Sequence, residues 1–301
     1  MIRSWISSSL LACVLGSALL TLPATAISSS VFTVGQAKVI ALQDYPAQMP
    51  TAIFSGADKD EIEKLAPGGY AVASINIFVI KLNGKHILVD AGMGAATRPG
   101  LSRAQEVITK AGIRPKEINA VLLTHLHFDH IGGIVFEGKR LFPNATIYVS
   151  RPEYAYWMSD EEMKKVTDPV FQANFELVRN HLALYKGSVR TFEAGSEVLP
   201  GIIARESFGH TPGHTSFLLT SDNERMLFWG DTVHAAQLQF PNPRISAAFD
   251  MDKVLAVTKR IGLMKFLAST KTPVAGAHLP YPGIGKVSER SPASFVYTPS
   301  L

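Results

Sequence analysis

Cysteine is all but absent. The 301-residue chain carries one, Cys13, and it falls in an apolar N-terminal stretch. The rest of the chain therefore forms no disulfide and offers no thiolate as nucleophile or metal ligand. Any metal site must be built from His, Asp and Glu. Charge is sparse as well: 18% of residues are charged, and 29 Lys and Arg against 25 Asp and Glu leave a formal net charge of +4. A pI near 9.1 would permit nucleic-acid contact, but no run of basic residues concentrates the charge. Ordinary solvated surface is expected instead, with no nucleic-acid partner. No low-complexity linker interrupts the chain, and an apolar content of 47% excludes wholesale disorder, collagen and coiled coil. The length suits one large domain or two small ones.

Before Lys38 the only charge is Arg3. An uncharged apolar run over residues 10–22 follows, then Ala24-Thr25-Ala26, with small residues at the two positions a signal peptidase reads. This pattern predicts a cleaved secretory signal peptide over 1–26. Residues 27–301 would then be a periplasmic or secreted domain with no stable membrane insertion after cleavage. A retained anchor would need roughly 20 strongly apolar residues, and this run is short and interrupted by serine. A lipoprotein would use Cys13 after Leu-Leu-Ala, where the preceding apolar run is shorter still.

Val- and Ile-rich runs bounded by turn residues predict strands at 37–42, 71–82, 86–89, 120–123, 146–149, 189–192, 202–206, 216–220, 226–229 and 272–275. Asn83-Gly84 is a hairpin signal. Helices are expected at 58–65, inside an otherwise irregular 44–68, and at 102–111 with Gly112 as its stop. Others are expected at 153–158, 168–184 and 251–267. Strands cluster in each half with helices between them, which argues for two mixed sheets packed together with helices outside.

The nine histidines carry the chemistry. Four segments follow predicted strands: Thr124-His125-Leu126-His127-Phe128-Asp129-His130, Gly209-His210-Thr211-Pro212-Gly213-His214, Gly230-Asp231-Thr232 and Gly276-Ala277-His278-Leu279. Loops at strand ends let a rigid scaffold aim side chains at one point. In an extended run His125 and His127 point to the same side. The chain must then turn, with Gly132-Gly133 close behind, so Asp129 and His130 can address a second position nearby. Imidazole and carboxylate are natural ligands for zinc and similar metals where thiolate is missing.

The His-x-His-x-Asp-His run after a strand resembles the signature of the metallo-β-lactamase superfamily. The other three segments come in that family's order, as does Asp90 within Leu88-Val89-Asp90-Ala91-Gly92. The resemblance implies an α+β fold, the αββα sandwich, in which two mixed sheets pack face to face and a dinuclear metal site lies at one edge. It implies His125, His127 and His210 on one divalent cation, Asp129, His130 and His278 on the second, and Asp231 bridging both. Asp90 would orient ligand histidines, and His214 would close its turn by hydrogen bonding. Zinc is expected, while Mn, Fe or Co also suit such donors. Two cations sharing a water make it a hydroxide nucleophile near neutral pH, with Asp129 and Asp231 holding or relaying its proton. His86 and His181 are expected to be surface or core residues.

Within the superfamily, several segments resemble the methyl parathion hydrolase-like and N-acyl-homoserine-lactone lactonase-like members. They are 227–234, Gln239-Phe240-Pro241, Ala247-Ala248-Phe249-Asp250, 276–285 and Phe142-Pro143-Asn144-Ala145-Thr146. The resemblance implies a small-molecule substrate with a lactone, ester or phosphotriester bond, and a homodimer joined through the aromatic-rich 140–185 region. Asp231 stands where true metallo-β-lactamases generally have Cys or Ser, which argues against β-lactam amide hydrolysis. A non-catalytic metal-binding module would have no need of both metals. Phe128, Phe136, Trp157, His234 and Phe240 are the candidate walls of a substrate pocket.

Overall fold

The computed structural model describes residues 29–94 and 104–300. The expected leader and the first residues of the helix expected at 102–111 lie outside them. Seven strands lie side by side in chain order to form the first sheet: β1 (Ser29–Val34), β2 (Ala37–Pro50), β3 (Tyr70–Leu82), β4 (Lys85–Val89), β5 (Ile118–Leu122), β6 (Thr146–Ser150) and β7 (Val189–Phe192). Strands β1 to β4 pair antiparallel, and β4 to β7 pair parallel. The second sheet repeats the plan with β8 (Glu197–Leu199), β9 (Ile202–Glu206), β10 (Thr215–Ser221), β11 (Glu224–Phe228), β12 (Val274–Ala275), β13 (Ile284–Ser291) and β14 (Ser294–Pro299). Here only β11 and β12 run parallel.

The helices in chain order are α1 (Lys59–Leu65), α2 (Ala104–Lys110), α3 (Phe128–Ile131), α4 (Arg151–Met158), α5 (Asp160–Lys165), α6 (Pro169–Leu184), α7 (Ala236–Gln239) and α8 (Lys253–Thr270). Residues 77–80 explain the layering. Ile77, Phe78, Val79 and Ile80 are all buried, because both faces of β3 are covered and a strand sends alternate side chains to opposite faces. Phe78 and Ile80 meet Phe217, Leu219 and Phe228 of the second sheet, which closes the inner core. Ile77 and Val79 face outward with Leu88 and Val121 toward Val107 and Ile108 of α2, Trp157 of α4 and Phe175 and Val178 of α6. On the far side Leu218 and Leu227 pack under Leu263, Met264 and Leu267 of α8. The result is the expected αββα sandwich.

Some boundaries differ from expectation. The strand expected at 37–42 continues to Pro50 through an irregularity between Gln43 and Tyr45, opposite the long β3. Helix α8 starts at Lys253, where the Asp252 side chain accepts from Leu255 N–H, and runs to Thr270. The β13–β14 hairpin was not expected. Its Lys286, Ser288 and Glu289 are exposed, so it carries little apolar alternation. Among the described residues no helix is long and apolar enough to cross a membrane.

Candidate metal centre

The histidine-bearing loops meet at one edge of the sandwich. Three of them leave the carboxyl ends of the parallel pairs, where crossover connections open a crevice. Strands β4 and β5 deliver Asp90 and residues 124–130, and β11 and β12 deliver Asp231 and His278. The β9–β10 connection adds His210 and His214. Val89 lies beside Leu122, so Asp90 emerges next to Thr124. Its carboxylate accepts from Thr124 N–H at 2.8 Å and from the Thr124 hydroxyl at 2.9 Å. Gly230 enters the crevice at φ +53, and a Cβ there would lie 2.6 Å from His214 Nε2 and 2.8 Å from Thr124 Cβ. Only glycine lets Asp231 come this close.

Three ring nitrogens form a tight triangle. His125 Nε2 and His127 Nδ1 are 3.0 Å apart, and His210 Nε2 lies 3.2 Å and 3.0 Å from them. Asp129, His130, Asp231 and His278 form a second group. His130 Nε2 is 3.0 Å from Asp231 Oδ1, and His278 Nε2 is 3.0 Å from Asp231 Oδ2 and 3.3 Å from Asp129 Oδ2. Asp231 Oδ2 also approaches His210 Nε2 at 3.3 Å, so this carboxylate stands between the groups. In each group one atom per residue lies within 4.8 Å of all the others. His125, His127, His130, His210, Asp231 and His278 are all buried, and Asp129 is half-buried.

The outer nitrogens of four of these five rings are occupied, while His127 Nε2 is buried without a hydrogen-bond partner. His130 Nδ1 donates to Asp90 Oδ2 at 2.9 Å, His210 Nδ1 to Asp250 Oδ1 at 3.0 Å, and His278 Nδ1 to the Ser74 carbonyl at 2.9 Å. His125 Nδ1 meets the Thr124 hydroxyl at 3.1 Å. Such partners fix the tautomer and leave the inner nitrogen's lone pair free. Burial, with the neighbouring histidines, holds His125 and His127 well below the usual imidazole range. Burial works the same way on His130 and His278, but the facing carboxylates outweigh it and push both up, His278 to about 10. Burial would raise Asp129 and Asp231, yet the facing His130 and His278 hold both low.

These donors fit cations. Lone pairs on three neighbouring nitrogens cannot satisfy one another. His130 Nε2 and Asp231 Oδ1 are buried without a hydrogen-bond partner, which is costly unless something positive lies between them. Imidazole and carboxylate with no sulfur make a borderline-to-hard set suited to zinc and its neighbours.

The structure separates the other expected site residues. His214 Nε2 accepts from Asp231 N–H at 2.9 Å, while its Nδ1 lies 2.9 Å from the Ser207 hydroxyl. His234 was expected as a pocket wall and instead stands inside the cluster. Its Nε2 is 3.2 Å from Asp231 Oδ2, and its ring stacks on His278 at 5.5 Å between centroids. That approach to Asp231 is out of line for a hydrogen bond, and both ring nitrogens lack a partner. Phe240 requires a correction. It is 2% exposed and packs between the Trp229 and Tyr297 rings in the core beneath α8, because α7 turns its apolar side inward. Trp157 is fully buried behind His127, with 5.8 Å between rings, and donates from Nε1 to Glu153 Oε1 at 2.7 Å. It backs His127 and offers no open face. Phe136 is exposed on the hairpin of residues 135–140, and Phe128 is half-buried at the start of α3. The rings that border the cluster are Phe171, 5.8 Å from His127, and Phe249, 6.2 Å from His234.

Sequence reasoning missed Glu153, Asp250 and Ser74. Asp250 accepts from His210 and from Arg260 Nη2 at 3.2 Å, and Arg260 is itself buried. Asp250 lies in the quoted Ala-Ala-Phe-Asp segment, a signal that was read only as resemblance.

Fold and site together define a metal-dependent hydrolase. The model of the metallo-beta-lactamase superfamily matches residues 71–284, and the chain belongs to that superfamily. An N-acyl homoserine lactonase of Bacillus sp is 26% identical over 217 residues, 65% of this chain and 78% of the relative. Among solved structures, the hydrolase AbOPH of the beta lactamase superfamily superposes with a TM-score of 0.86 at 28% identity, covering 92% of this chain and 98% of that one. AidC, a dizinc quorum-quenching lactonase in complex with the product N-hexnoyl-L-homoserine, gives 0.84 at 26% identity over 91% and 98%.

Proposed function

We propose that this protein is an exported lactonase that holds two divalent cations, zinc foremost, and opens N-acyl homoserine lactones or closely related esters. The carrying observation is the convergence of His125, His127, His210, Asp129, His130, Asp231 and His278 into two adjoining groups, buried at every member but Asp129. The similarity to a dizinc lactonase along nearly its whole length supports the substrate class. In this reading His125, His127 and His210 hold one cation, Asp129, His130 and His278 the other, and Asp231 both. Cations held there would supply an acidified water as nucleophile and would polarise the carbonyl oxygen under attack. The chain's own groups do the rest. Asp129, less buried than its neighbours, takes up and returns the proton at its carboxylate. His234, with both nitrogens unpaired beside Asp231, orients a substrate oxygen. Phe171 beside His127 and Phe249 beside His234 exclude water and receive the acyl chain.

Phosphotriester turnover is a side activity in this reading, and a homodimer through 140–185 accompanies it, where Met158 and Leu184 are exposed. Side-by-side kcat/KM values for an acyl-homoserine lactone, an aryl ester, paraoxon and nitrocefin test the assignment. The lactone is expected to rank first and nitrocefin last. Equal or higher turnover of nitrocefin, or no turnover of any by zinc-loaded protein, contradicts it. N-terminal sequencing of the exported protein is expected to begin near Ile27, and an N-terminus at Met1 contradicts export by cleavage.

A further inference from the structure

Glu153 is fully buried and belongs to no ligand group. Each of its oxygens serves a different loop. Oε1 accepts from Leu126 N–H at 2.9 Å, between the ligands His125 and His127, and from Trp157 Nε1 at 2.7 Å. Oε2 accepts from the Thr211 hydroxyl at 2.7 Å and from Gly213 N–H at 2.9 Å, on either side of the turn that follows His210. Four donors satisfy one carboxylate with no water required. The contact is tight: a Cβ on Gly213 would lie 2.1 Å from Glu153 N and 2.4 Å from Ser150 Oγ, and Ser150 donates to the Gly213 carbonyl at 2.6 Å. On its other side Leu126 is held by Asn174 Nδ2, which donates to its carbonyl at 2.9 Å. The residue between the two histidines is therefore pinned at both its N–H and its carbonyl.

We propose that Glu153 is a positioning residue for the metal centre: its carboxylate ties the His125–His127 loop to the His210 loop and so sets the triangle of their ring nitrogens. The strands that carry the loops, β5 in one sheet and β9 and β10 in the other, share no ladder; a backbone bond from Thr215 N–H to the Thr124 carbonyl at 2.8 Å joins them at their bases, so an apolar side chain at 153 would loosen the ligand-bearing ends beyond it. The proposal rests on the metal-centre reading above.

The test uses Glu153→Gln in the full chain, with zinc affinity of each of the two equivalents measured by chelator competition and the melting of the metal-free protein measured alongside. Val178→Ala, which trims the core of α6 and removes no hydrogen bond to either loop, controls for lost stability. Glu153→Gln is expected to weaken one equivalent by about 10–100-fold, as removal of such partners typically does, while the other holds. Val178→Ala is expected to lower melting with both affinities intact. Unchanged affinity of both equivalents in Glu153→Gln overturns the proposal, as does an equal loss in Val178→Ala. If Glu153→Gln does not fold, Thr211→Val decides, since it removes one donor and keeps the carboxylate. A smaller loss at a single equivalent supports the proposal, and no loss overturns it. Failure of the unaltered protein to bind zinc sinks the metal-centre reading itself, and the role of Glu153 falls with it.

Discussion

A ligand histidine is only as good as the group behind it. His210 is aimed by Asp250, and Asp250 is held by a buried Arg260. Asp250→Asn keeps the volume but weakens the acceptor, so metal affinity should fall about 10–100-fold in a chelator competition. Wild-type affinity would remove Asp250 from the centre. His214 makes a different prediction. Burial, then the neighbouring His210, lowers its pKa to about 3, against about 6.5 in an unfolded chain. Between those values the unfolded state binds the extra proton. The stability from neutral His214 is therefore fully present above pH 6.5 and declines as pH falls toward 3. His278, raised to about 10, works in the opposite sense, so the comparison must be differential. The stability advantage of wild type over His214→Asn in urea should shrink between pH 7.5 and pH 5, and a constant difference would contradict this. The ligand types were legible in the sequence because three His and one Asp sit within six residues of each other. Glu153, Asp250 and Ser74 were not, because each meets its partner across 27, 40 and 204 positions of chain. No local pattern marks that.

Elements decide which aromatics can reach a substrate. Phe240 was expected among the apolar walls of a pocket, but the short α7 carries it into the core with Trp229 and Tyr297. Phe240→Ala should cost about 3–5 kcal/mol of stability in urea denaturation and leave KM unchanged. A raised KM in a fully folded variant would return it to the pocket. The strands around the site were readable from continuous apolar runs such as 77–80, since both their faces are covered. The extension of β2 to Pro50 and the β13–β14 hairpin were not, because Pro46 and Pro50, and the exposed Lys286 and Glu289, break the strand pattern. What holds those segments is pairing to β3 and to each other, which is tertiary information.

At the scale of the whole molecule, two seven-stranded sheets, each in chain order, bring the carboxyl ends of their parallel pairs to one edge. Two mixed sheets with outer helices followed from the rhythm of strands and helices alone. That they form this particular sandwich, with loops 85 residues apart touching through His125 and His210, came from the resemblance carried by the histidine motifs. The architecture makes a rigid frame around a cluster rich in unpaired lone pairs, and its purpose rests on what fills that cluster. The most direct measurement is an anomalous difference map, recorded at the zinc edge, from crystals of the zinc-loaded protein. The account predicts two peaks about 3.5–4 Å apart, one amid His125, His127 and His210, the other amid Asp129, His130 and His278, with Asp231 between them. A map with no peak there, or with peaks only elsewhere on the molecule, would contradict it.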